Sequence, residues 1–124
     1  MSKTGKPTRT VSVENVTSFV QAQASGYTVY TALLTQSGSL APVATILQNT
    51  TGGTFVWTRS SGANYIVTAS TALFTANKTI VFVNYGSAIA NSFITWQRTS
   101  DTTITLMSGS DDQFTDASFE IRIY

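Results

Sequence analysis

The chain contains no cysteine and no histidine. Those two absences together remove disulfide staples, thiolate zinc sites, Cys–His nucleophiles and the Ser-His-Asp arrangement. Without cysteine the chain is also indifferent to redox compartment, so cysteine usage does not locate it. Charge is scarce as well: Asp, Glu, Lys and Arg make up 10% of the residues, against about 25% in an ordinary soluble domain. Between Asn15 and Gln97 the only charged side chains are Arg59 and Lys78. No apolar run approaches the roughly 18 residues of a membrane-spanning helix. The basic start at Lys3 and Lys6 is followed by polar residues, so no secretion signal and no membrane association are expected.

What is present is Thr, Ser, Asn, Gln and Gly in place of charge. A neutral, hydroxyl-rich surface gains little solubility from charge repulsion. It suits a protein packed against copies of itself or held in a larger assembly. A chain of 124 residues forms one domain and buries about two-thirds of its unfolded surface, so it needs no metal to fold.

Residues 1–26 read as an extended arm: MSKTGKPTRT has no apolar side chain after Met1. Its continuation at 11–24 fits a short helix, with Val13, Val16 and Val20 on one face. It fits a strand equally well, because its residues are β-branched and Val11 alternates with Val13. From Tyr27 to Tyr124 the pattern changes to short β-rich runs separated by turn residues. Eight strands are predicted, at 27–35, 42–49, 54–59, 64–70, 78–85, 87–98, 103–108 and 117–124. The expected fold is all-β, an antiparallel, jelly-roll-like β-sandwich at 27–124 preceded by the arm. KTIVFVNY is almost continuously apolar, which predicts a central strand covered on both faces. ASFEIRIY alternates, with Phe119, Ile121 and Ile123 facing in and Glu120, Arg122 and Tyr124 facing out. This last strand is either an interior staple or an edge open to a neighbouring copy.

Few residues are arranged for chemistry. Asp111, Asp112, Asp116 and Glu120 lie close in sequence, but their spacing matches no calcium loop and reads as a hydrogen-bonding surface turn. Serine and threonine lack an activating base, and no phosphate-cradling or dinucleotide motif occurs. No catalytic residue, metal or cofactor is expected, and the chain is read as a non-enzyme. Lys3, Lys6 and Arg9 neutralise too few phosphates for specific nucleic-acid binding. They read instead, with Val13, Val16 and Phe19, as the partner-binding part of the arm. Trp57, Arg59, Tyr65 and Trp96 are the candidates for contact with a glycan or another subunit. Because Phe55, Trp57 and Arg59 share one face of their strand, Trp57 reads first as a core or inter-subunit anchor. Arg59 then marks the point where the strand leaves the core, or pairs with a neighbour's carboxylate.

The segments YTVYTALLTQSG (27–38), APVATILQNTTGGTFVWTR (41–59) and ALFTANKTIVF (72–82) resemble a recurrent part of small bacteriophage proteins, chiefly of phages infecting Bacteroidetes. The resemblance covers roughly residues 27–84 and carries no catalytic residue. It implies a virion component of the capsid-decoration, head-fibre or tail-fibre type, made in the host cytoplasm and incorporated into the particle. It further implies a homo-oligomer, preferentially a trimer, attached through its arm to other virion proteins. The alternative is a module that binds carbohydrate or a host surface.

Overall fold

A computed structural model describes residues 26–86, 93–111 and 113–124. Eight antiparallel strands form two four-stranded sheets, and no helix occurs among the described residues. The strands are β1 (Thr28–Thr35), β2 (Val43–Asn49), β3 (Phe55–Ser61), β4 (Asn64–Ala69), β5 (Thr79–Asn84), β6 (Ile94–Arg98), β7 (Thr103–Ser108) and β8 (Ala117–Ile123). One sheet runs β2-β1-β8-β5 and the other β3-β4-β7-β6. The antiparallel β-sandwich expected from the sequence is therefore the fold that forms. Residues 1–25 of the arm, with Lys3, Lys6, Arg9, Val13, Val16 and Phe19, lie outside the described residues, as do 87–92 and Asp112.

Period-two alternation drives the two layers together. β4 buries Tyr65, Val67 and Ala69, and β7 buries Ile104 and Leu106 from the same sheet. Tyr30, Ala32 and Leu34 of β1 meet them from the other sheet, joined by Phe119 and Ile121 of β8. Each large apolar side chain taken out of water in this way contributes about 1.5–3 kcal/mol. The aromatic rings interlock edge to face: Trp57 and Phe119 have centroids 4.7 Å apart at 79°, and Tyr65 and Phe114 lie 4.9 Å apart at 73°. Phe74, between β4 and β5, and Phe114, between β7 and β8, are fully buried loop residues that plug the sandwich.

One expectation changes and one open alternative is decided. The run at 78–85 is not a central strand, because β5 ends its sheet with only β8 beside it. Its outward residues Ile80 and Phe82 are exposed while Val81 is buried. The continuous apolar run thus does not record burial from both sides: every second residue belongs to an outer surface. β8, by contrast, is the interior staple, paired with β1 on one flank and β5 on the other, and not an edge. Its inward and outward residues are those expected, and Tyr124 follows the strand as an exposed side chain.

A candidate interaction surface

The outward face of the β2-β1-β8-β5 sheet is unusually apolar. Leu33 on β1, Ile80 and Phe82 on β5, and Leu47 on β2 are all exposed there, Leu47 at 60% and Phe82 at 50%. Leu47 shares this face with Val43 and Thr45 by alternation. Thr31 opposes Gln48 while Ala32 opposes Ile46, so Leu47 is the extra residue of a β-bulge with no partner on β1. Leu33, Leu47 and Phe82, together with Ser118 and Asn84, line a shallow groove of about 320 Å³ running across β8.

The floor of the groove carries one ion pair that is satisfied internally. The Arg122 Nε donates to Glu120 Oε2 at 2.6 Å, and the Thr31 hydroxyl donates to Glu120 Oε1 at 2.9 Å. The guanidinium sits 4.8 Å from the ring centres of both Tyr27 and Phe82, where the negative ring faces attract it. The carboxylate hydrogen bond makes this guanidinium hold its proton more firmly than usual. One face of the sandwich thus has apolar walls and a charge pair committed to itself.

The opposite face, outward on β3-β4-β7-β6, is different. Its rows run Val56–Thr68–Thr103, then Thr58–Ile66–Thr105–Gln97, then Asn64–Met107–Thr95. None of these residues is charged, and Val56 and Met107 are its exposed large apolar side chains.

A polar knot closes one end of the molecule. Asp111 accepts two hydrogen bonds from Arg59, at 3.1 and 2.8 Å, one from the Ala63 backbone N–H at 2.9 Å and one from the Tyr65 hydroxyl at 2.8 Å. Gln36 Nε2 donates to the Tyr65 oxygen at 3.0 Å and also to the Leu40 carbonyl. Arg59, the Ala63 amide and Tyr65 hold the Asp111 carboxyl far below the usual carboxylate range. Burial pushes the Tyr65 phenol up, which keeps it neutral. The knot also steadies Ala63 at a φ of 60°, a left-handed conformation that a non-glycine residue rarely adopts.

These positions redistribute the residues singled out from the sequence. Trp57, 8% exposed, and Tyr65, fully buried, are core side chains and offer no surface to a sugar or another subunit. Trp57 donates its indole N–H to the Tyr30 hydroxyl at 3.3 Å. Arg59 leaves the core at its strand end, as expected, and its carboxylate partner is Asp111 of the same chain. Trp96 is half-exposed on β6, at the opposite edge of its sheet from Trp57. Three strand spacings, about 14 Å, separate those two edges, so the four residues form no common platform. The surface missed at the sequence level is Leu33, Leu47, Phe82, Glu120 and Arg122. Its one readable signal was the outward alternation of Glu120 and Arg122.

Among the described residues no group of three His, Cys, Asp or Glu side chains could hold a metal, and no helix is long and apolar enough to cross a membrane. Compared with known proteins, the chain matches no family, no curated protein and no solved structure.

Proposed function

We propose that the chain is a non-enzymatic structural component of a bacteriophage virion, of the capsid-decoration, head-fibre or tail-fibre type. It works by non-covalent association with copies of itself and with other virion proteins, and residues 1–25 tether it to the particle. The observation that carries the association is the outer face of β2-β1-β8-β5, where Leu33, Leu47, Ile80 and Phe82 stand exposed around an ion pair already satisfied. Apolar patches of this kind mark contact with other molecules. The virion assignment itself comes from the resemblance of residues 27–84 to phage proteins, and the threefold order from the symmetry common in fibres.

Purified particles test the proposal. Mass spectrometry should find the chain in stoichiometric amounts in intact virions, and deletion of residues 1–25 should leave the β-domain folded but absent from the particle. A chain found only in the soluble lysate and never in particles would overturn the assignment.

The groove supports a second reading, a carbohydrate-binding module. Asn84 and Ser118 supply amide and hydroxyl groups beside the exposed Phe82 ring, the mixture a neutral sugar needs. Titration with defined hexasaccharides should then shift the amide resonances of β8, and Phe82→Ala should abolish the shifts. Unmoved resonances across the series would remove this reading.

A further inference from the structure

We infer that β2 is a seam between two copies of this chain, whose β2 strands pair antiparallel about a twofold axis to join two four-stranded sheets into one of eight. The inference rests on the assembly reading above and names its contact.

A strand that ends a sheet presents a row of unpaired N–H and C=O groups, and natural proteins guard such edges with charge, proline, distortion or a cover. The four edges of this sandwich differ in their guards. β5 and β6 lie against each other along one side of the molecule, and Lys78 stands immediately before β5. β3 carries Arg59, and its register is broken between Arg59 and Ser61. β2 has its own bulge at Leu47, but before it, along Val43–Ile46, the described residues supply no such guard. From Gln36 to Thr58 there is no charged residue. Pro42 is buried and precedes the strand, so all seven residues of β2 keep their N–H groups. Val43, Ile46 and Leu47 are 64%, 54% and 60% exposed, and Leu40 just before the strand is 66% exposed. Six of the seven residues of β2 are exposed, the most of any strand.

The same stretch is self-complementary. Across an antiparallel pair, directly opposed residues point to the same face, and a twofold axis makes the patch meet itself. The bulge at Leu47 limits the regular pairing to Val43–Ile46. A register that respects both conditions places Thr45 opposite the other copy's Thr45. Ala44 then meets Ile46 on the inner face, and Val43 lies beside the other copy's Leu47 on the outer face, just past the end of the regular ladder. No like charges meet, and each apolar side chain gains an apolar neighbour. The outer groove, whose wall includes Leu47, then borders the seam on both copies.

One position tests this from both directions, because Thr45 is exposed on the strand that ends its sheet. Wild-type protein in sedimentation at micromolar concentration should weigh an even multiple of the 13.3 kDa chain, two copies for the seam alone. Thr45→Lys sets two ammonium groups against each other at the axis and should halve the mass while leaving circular dichroism and melting unchanged. Thr45→Cys introduces the sole thiol, and opposed residues lie within the roughly 4.4–6.8 Å Cα separation that a disulfide spans. Mild oxidation should therefore cross-link it to a dimer, whereas Thr58→Cys on the other sheet should stay monomeric on a denaturing gel. A mass that Thr45→Lys does not halve, or equal cross-linking at Thr58, overturns the seam but leaves the assembly reading standing. A wild-type chain that stays at single mass also overturns the seam, and particle composition then decides the virion reading independently.

Discussion

The two outer faces of the sandwich are built by the same alternation and end up with opposite characters. On β3-β4-β7-β6 the outward positions are mainly Thr, Asn and Gln, groups that hydrate without charge. On β2-β1-β8-β5 they include Leu33, Leu47, Ile80 and Phe82, with Glu120 and Arg122 turned toward each other. Alternation fixes which residues face out but leaves open what they are for. Scarcity of charge does not by itself mark a contact surface either, since the β3-β4-β7-β6 face has no charge and is the more polar of the two. The distinguishing property is exposed aliphatic and aromatic area beside an unguarded edge.

Removing what the two faces share should have the largest effect. Phe119→Ala takes away the ring that packs on both Trp57 and Tyr30, and truncating a buried Phe costs about 3–5 kcal/mol. Urea denaturation should show one cooperative transition moved to much lower denaturant, with both sheets lost together. Tyr65→Phe is milder. It leaves Gln36 and Asp111 short of a partner inside the end knot, which costs about 1–3 kcal/mol, read as a lower melting temperature.

The knot also sets an acid limit common to both faces. The folded-state pKa of Asp111 is depressed, so its contribution is complete above the unfolded carboxylate value of about 4. It is lost progressively as pH falls below that toward the folded value. Thermal melts should therefore weaken below pH 4, and Asp111→Asn should flatten that part of the profile while lowering stability at neutral pH. The buried phenols of Tyr30 and Tyr65, both pushed up mainly by desolvation, work at the other extreme. Their contribution is intact below pH 10 and is lost as pH rises through it.

The smallest effects on stability should be the most informative about the faces. Phe82→Ser on one face and Thr105→Ala on the other are outward changes away from the core, and each should shift stability by only about 0.5 kcal/mol or less. Phe82→Ser should nevertheless weaken self-association or particle incorporation measurably, and Thr105→Ala should not. Equal behaviour of the two variants would erase the distinction between the faces.

Most of the strands could be read along the chain because each is a local pattern. β4 alternates buried and half-buried residues over Asn64–Ala69, and β8 places Phe119 and Ile121 inward as its spacing predicts. Position within a sheet could not be read, since it depends on partners far away in sequence. β5 reads as central because Ile80, Val81, Phe82 and Val83 are consecutive apolar residues, yet only Val81 is buried and the strand is an edge. The same distance hides the end knot. Arg59 meets a carboxylate 52 residues downstream, and its spacing from Trp57 carries no trace of Asp111. The groove needed four strands to converge: Leu47 from β2, Leu33 from β1, Glu120 and Arg122 from β8, and Phe82 from β5.

The placement of β8 between β1 and β5 has a consequence for biogenesis. As the ribosome delivers the chain, β1, β2 and β5 emerge well before the strand that unites them, so the β2-β1 hairpin and β5 wait unjoined until Ala117–Ile123 appears. Synthesis proceeds at roughly 5–20 residues per second, so the interval lasts seconds, during which the apolar hairpin is open to chaperones or to misplaced neighbours. Completion of the sheet is therefore a late, nearly all-or-none event, and a message truncated before codon 117 yields two fragments of a layer with nothing to bind them.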